Sequence, residues 1–209
     1  MDSAEDPGAM VRRGYDAVSV RYDQAYEEAD KYGDWLRELA RRVPSGGAVL
    51  DLGCGSGVPA RSLAAAGFRV TGADFSEVQI RRARERVPGA EFVHADITDP
   101  AFAPGPPGTF DAVVCLFALI HLPLAQQPPL LRRIAGWLRP GGWFLATTGQ
   151  RAWTGVEEDW LGGGAPMWWS HADAATNRRW ITEAGLTVVH EEFVPEGDSG
   201  HALFWARRD

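Results

Sequence analysis

Two cysteines in 209 residues, at positions 54 and 115 and without CxxC spacing, are too few for a disulfide framework and unsuited to a zinc site. Long hydrophobic runs are missing too. The longest, Phe110 to Leu124, is interrupted by Asp111, His121 and Pro123, which excludes a transmembrane span. The opening MDSAEDPGAM has neither the basic start nor the apolar stretch of a signal peptide, so a cytoplasmic protein is expected. Positive charge is also short: 21 Lys and Arg against 28 Asp and Glu leave a formal charge of −7. The arginines are scattered as pairs rather than gathered on one face, so neither nucleic acid nor a membrane is an expected partner. No repeat is visible, and no metal-binding cluster stands out. Apolar residues at 45% and charged residues at 23% are globular values, and the length suits one domain.

Strands and helices alternate along most of the chain. Val11 to Ala40 reads as helical. Ala48–Leu52 is a short strand running into Gly53–Cys54–Gly55–Ser56–Gly57, and Pro59 to Ala66 is a helix. Phe68–Ala73 is a second strand, ending at Asp74. Ser76–Glu77–Val78–Gln79 matches a capping box for a helix to Val87. Glu91–Ala95 is a third strand, ending at Asp96. A loop, a fourth strand (Phe110–Phe117), a helix (Leu124–Leu138) and a fifth strand (Trp143–Thr148) follow. After a helix over 173–184, Leu186–Val194 and His201–Arg207 are joined by only six residues, so this last pair is antiparallel. The fold class is therefore α/β, a doubly wound and mostly parallel sheet with helices on both faces. One domain, 1–209, divides into a helical lid (1–44), a ligand-binding core (45–149), a Trp-rich insert on the acceptor side (150–172) and a last helix with a hairpin (173–209).

Open parallel sheets bind ligands beyond the carboxyl ends of their strands. Gly53, Gly55 and Gly57 let the backbone turn sharply and approach a ligand. Asp74, at the end of strand two, is placed to accept both hydroxyls of a ribose; Asp96, at the end of strand three, is placed to reach an adenine amine. Phe75 and Ile97 supply apolar faces for that ring. Dinucleotide folds use G-x-G-x-x-G, but the third-glycine position here is Val58. Asp51, beside the loop, adds negative charge that opposes pyrophosphate and suits an ammonium or sulfonium group.

The stretches VLDLGCGSG (49–57), GADFS (72–76), HADI (94–97), FDAVVCLFALIHLP (110–123) and LRPGGWFLATT (138–148) resemble the class I S-adenosylmethionine-dependent methyltransferases of small-molecule type. With the closing hairpin the resemblance covers about 45–208. It implies a seven-stranded sheet in the order 3-2-1-4-5-7-6 with strand 7 antiparallel. It also implies S-adenosylmethionine as cofactor and S-adenosylhomocysteine as product. By this resemblance Asp51 and Gly53 hold the methionine end, Asp74 the ribose and Asp96 the adenine, and backbone groups near Cys115 and Leu116 complete the amino-acid pocket. Tyr15 and Tyr22 look like lid residues over the cofactor.

The expected activity is in-line methyl transfer to oxygen, nitrogen or sulfur of an apolar or aromatic small molecule. An alcohol or phenol would need a base. His121 and His171 are the candidates; the alternative for His121 is bracing of its loop, and Ser170 or Asp173 beside His171 can cap a helix instead. Trp153, Trp160, Trp168 and Trp169 either wall an acceptor pocket or form a flap packed on the sheet or on a second subunit. An NAD(P)-dependent oxidoreductase and a non-catalytic S-adenosylmethionine-binding protein are the alternatives, and monomer and homodimer both stay open.

Overall fold

The computed structural model describes residues 6–28, 30–197 and 199–209, without the side chains of 25–28. The first five positions of the expected lid, and Asp198 in the expected hairpin loop, lie outside the described residues. The elements in chain order are α1 (Pro7–Glu28), α2 (Gly33–Arg42), β1 (Ala48–Leu52), α3 (Val58–Ala65), β2 (Arg69–Asp74), α4 (Glu77–Arg86), β3 (Glu91–His94) and β4 (Phe110–Cys115). They continue with α5 (Gln127–Trp137), β5 (Leu138–Gly149), β6 (Trp153–Glu157), β7 (Met167–His171), α6 (Ala174–Glu183), β8 (Leu186–Glu196) and β9 (Ser199–Arg208).

Seven strands form one sheet in the order β3-β2-β1-β4-β5-β9-β8, and β6 and β7 form a separate two-stranded ribbon. The expected 3-2-1-4-5-7-6 thus differs in its last two numbers, because the ribbon adds two strands ahead of the hairpin. Pairings among β1 to β5 are parallel, and β9 runs antiparallel to both β5 and β8. Every residue of β1 and of β4 is buried, as befits central strands covered on both faces. Alternate residues feed two cores. Leu50, Val113 and Phe144 pack with Leu130, Ile134 and Ile181 from α5 and α6, whereas Val49, Val114 and Leu145 pack with Leu39, Leu63 and Ile80 from α2, α3 and α4. Each such buried side chain contributes about 1.5–3 kcal/mol.

Local signals behave as their chemistry dictates, with instructive exceptions. Ser76 caps α4 by accepting from the Gln79 N–H at 3.1 Å. The return half of the expected capping box is absent, because Gln79 Oε1 accepts from Ser19 of α1 at 3.0 Å instead. Asp173 caps α6 by accepting from the Thr176 N–H at 2.8 Å. The helix expected over Val11–Ala40 is two helices, with Asp30 between them in the left-handed region (φ 44°). Pro128 and Pro129 do not disturb α5; they occupy its first turn, where no donor is required. Among the described residues no helix is long and apolar enough to cross a membrane.

Candidate functional site

The carboxyl ends of β1 to β4 meet at one cavity of about 230 Å³, roofed by α1. Its floor begins with the loop after β1. Gly53 (φ 69°) turns where a side chain would run into the Ala118 methyl, so the close approach requires glycine. The Gly55 N–H, bared by the same loop, donates to Asp74 Oδ2 at 3.0 Å, and the Ser76 N–H donates to Asp74 Oδ1 at 2.9 Å. Burial pushes the Asp74 carboxyl up to about 6 despite these two donors. Asp51, at the end of β1, is 1% exposed, and its Oδ2 has no hydrogen-bond partner among the described residues. Burial, and then the nearby Asp74, push it up to about 7. A carboxylate in that position has its charge unmet within the fold, which is the arrangement a cationic ligand group would answer.

Ten of the residues singled out from the sequence line this cavity: Tyr15, Tyr22, Gly53, Gly55, Asp74, Phe75, Asp96, Ile97, Leu116 and His121. Asp96 Oδ1 accepts from the Thr98 N–H and hydroxyl at 2.7 Å each, so these bonds leave its other oxygen unengaged. Three expected ligands do not line it. Asp51 is buried at the strand end; Gly57 packs against Ala83 of α4; the Cys115 side chain belongs to the core on the α5 and α6 side. Strand alternation is the reason for Cys115, since Leu116 beside it points the other way. Burial raises both thiols, Cys54 and Cys115, which are inert at neutral pH.

The roof is tied to α4 and to the glycine loop. Asp23 accepts from Ser56 Oγ at 2.7 Å and from Arg82 and Arg86 at 2.8 Å each, while Ser76 Oγ donates to Asp16 at 2.5 Å. Tyr32 lines the cavity too, with its hydroxyl 3.4 Å from that of Tyr22. The sequence reading missed Asp23, Ser56, Gln79 and Tyr32 as site residues. Of these, only Tyr32 shares its residue type with the expected lid residues, Tyr15 and Tyr22.

His121 ends a 3-10 turn (Leu119–His121) that follows β4, and it is 6% exposed. Its Nδ1 lies 2.8 Å from the Trp168 carbonyl oxygen and its Nε2 lies 2.9 Å from the Tyr15 hydroxyl. A carbonyl only accepts, so Nδ1 carries the proton and Nε2 takes the hydroxyl's. Burial holds the imidazole down to about 4, so it is neutral at pH 7 with its lone pair on the cavity side.

His171 does not line the cavity: its Nδ1 bonds the Arg151 carbonyl at 2.6 Å and its ring lies beside Trp153, so it braces the start of the ribbon. This corrects its place among the candidate bases. Of the two readings of the Trp-rich segment, a pocket wall finds no support in this cavity, since none of residues 150–171 is among its lining residues. Trp160 packs on Tyr15 and Tyr22, with ring centroids 4.9 and 5.6 Å away, and Trp169 packs on His121 at 4.5 Å. The segment therefore stands behind the lid. Among the described residues no cluster of three or more His, Cys, Asp or Glu could hold a metal ion.

Residues 49–142 match the model of a methyltransferase domain. The chain is 34% identical over 116 residues to a ubiquinone biosynthesis O-methyltransferase of Bordetella pertussis, covering 54% of this chain and 47% of that protein. It is 37% identical over 150 residues to a demethylmenaquinone methyltransferase of Clavibacter sepedonicus, covering 68% and 58%. The chain thus spans about half the length of the curated relatives it matches. A crystal structure of magnesium protoporphyrin IX methyltransferase from Synechocystis PCC 6803 with bound S-adenosylmethionine superposes with a TM-score of 0.74, covering 100% of both chains at 18% identity. Residues 49–142 thus resemble a methyltransferase domain, and the sheet built on them shares its fold with that crystal structure.

Proposed function

We propose that the chain transfers the methyl group of S-adenosylmethionine to a hydroxyl oxygen of a small molecule. The observation that carries this reading is Asp51: it lies behind the Gly53 turn rather than on the cavity surface, and its buried carboxyl with an unmet oxygen gives that end of the cavity a negative field that suits the positive end of that cofactor. The same charge disfavours a dinucleotide, and Val58, at the start of α3, occupies the place where the third glycine of a dinucleotide motif would let the helix pack close to the strand. Asp74 would hold the ribose and Asp96 the adenine amine, with Phe75 and Ile97 on the ring and Tyr15, Tyr22 and Tyr32 above. When bound, the cofactor supplies a methyl carbon activated by a sulfonium. A hydroxyl acceptor must lose its proton as it attacks, and His121 Nε2 is the group that takes it. The Tyr15 hydroxyl, which donates to that nitrogen here, marks where an acceptor hydroxyl would donate. The aromatic packing behind the lid keeps water from the reacting groups. The names of the two curated relatives favour an acceptor with a quinone-derived ring, and the name of the first favours oxygen as the attacked atom. Two buried free thiols fit a reducing cytoplasm as the place of work.

The test is a panel of small phenols, amines and thiols, read by release of S-adenosylhomocysteine, with calorimetry for cofactor binding. Asp74→Ala is expected to raise the cofactor Kd by tenfold or more. His121→Ala is expected to lower kcat by about 10²-fold or more with little change in Kd. Saturable cofactor binding with no turnover of any acceptor would leave a binding protein, and absence of binding would overturn the reading altogether.

A further inference from the structure

β7 is one strand of a two-stranded ribbon, so its other edge presents backbone groups that no strand pairs. Carbonyls two residues apart on a strand face the same edge, and the two on this edge are both taken by side chains from the segment after β4. The Trp168 carbonyl accepts from His121 Nδ1 at 2.8 Å. The Ser170 carbonyl accepts from Gln127 Nε2 at 2.9 Å, and that same nitrogen donates to the Leu122 carbonyl at 2.8 Å. Gln127 thus clamps the edge of β7 to the turn that carries the histidine. The Trp169 ring then lies against the imidazole, with centroids 4.5 Å apart and planes inclined by 39°. Its indole N–H is buried without a partner among the described residues. Leaving a buried donor unmet costs about 1–3 kcal/mol, so ring packing rather than hydrogen bonding sets this placement.

We infer that the β6–β7 ribbon is a positioning device for His121, with Trp169 as the positioning residue and the Trp168 carbonyl selecting the tautomer. The inference rests on the reading of His121 as the proton acceptor. In the reaction the methyl–sulfur bond and the acceptor O–H bond would break as the oxygen–methyl bond forms, the sulfur would leave as a neutral thioether, and the proton would end on Nε2 with its charge shared over the imidazolium. The ribbon meets that charge twice, through the carbonyl on Nδ1–H and through the indole face. Without it, either ring nitrogen could carry the proton, and a histidine protonated at Nε2 has no lone pair toward the cavity. The ionisable groups near the ring from other elements are Tyr15 of α1, His171 of β7 and His201 of β9. None of them is a carboxylate that could accept the Nδ1 proton in place of the carbonyl.

The test compares Trp169→Leu and Trp169→Phe with the parent protein. Imidazole nitrogen NMR reads the His121 tautomer, and steady-state kinetics with S-adenosylmethionine and an acceptor from the panel read kcat and KM. The parent is expected to show the proton on Nδ1 alone. Trp169→Leu is expected to mix the two tautomers and lower kcat about tenfold with cofactor KM within about twofold, and Trp169→Phe to recover most of the loss. Should Trp169→Leu fail to fold, Gln127→Met, which unclamps the ribbon edge, carries the same expectation. An unchanged tautomer and unchanged kcat in the leucine variant, with His121→Ala still inactive, would overturn the positioning role alone. A shifted tautomer with an unaffected His121→Ala would instead overturn the base and leave the positioning standing.

Discussion

Asp51 and Asp74 hold the most consequential charges in the molecule, and their behaviour gives a prediction with a definite sign. Both carboxyls titrate above the usual carboxylate range, at about 7 and about 6, because burial disfavours the ionised form. A cationic ligand binds the ionised form, so S-adenosylmethionine affinity is expected to fall as pH drops through about 7 toward 6, and binding should release protons. Calorimetry across that range, in two buffers of different ionisation enthalpy, measures both. Asp51→Asn should flatten the dependence; a dependence unchanged in that variant would remove Asp51 as its source. Without ligand, the stability of the fold is expected to follow the opposite trend. Between the unfolded value of about 4 and the folded ones, the native state binds more protons, so stability declines as pH rises through this window. The glycine loop, Asp74 and Asp96 were legible in the sequence because each follows its own strand. Tyr32 and Ser56 were not, because their roles come from neighbours far along the chain: Ser56 meets Asp23 and Arg86.

Among the elements, α1 is the one whose function depends most on what it touches. One side leans on the ribbon through Gly14, Val18 and the tyrosines; the other is fastened to α4. Asp23, 7% exposed, is shared by Arg82 and Arg86, whose side chains are 24% and 17% exposed. Removing one member of such a cluster strands the rest of the charge in partial burial. Asp23→Ala is therefore expected to cost about 3 kcal/mol in a denaturant titration, well above the loss from breaking the exposed pair of Arg37 with Asp34. Equal small effects at both places would show that the cluster does not hold the lid. Sequence patterning placed most elements correctly because their signals are local, as with the Ser76 and Asp173 caps. It missed β6 and β7, whose glycines and tryptophans carry no clean alternation. The return half of the capping box at Gln79 was lost to a contact from 60 positions away.

At the scale of the whole molecule, the cofactor would bridge the ends of four strands and the lid. A ligand that binds only the folded state stabilises it by mass action. At a hundred times its Kd, S-adenosylmethionine should add about 2.7 kcal/mol. For a domain of this size that corresponds to a rise in Tm of roughly 5–10 °C, and NAD should produce none. A melting temperature indifferent to S-adenosylmethionine would argue against the bridging site. The residues alone specified the α/β class, a mostly parallel sheet, the antiparallel closing hairpin and the row of candidate binding groups at strand ends, while the order of the strands came from the family resemblance. Period, caps and turn glycines act over a few positions and need no knowledge of the rest of the chain. Tertiary contact settled what those local rules leave open. It brought His121 within reach of Tyr15 and the Trp168 carbonyl, turned His171 away from the cavity and put the tryptophans behind the lid. Such pairings join groups separated by tens of positions, and only the packed sheet and helices fix which of them come within a few ångströms of each other.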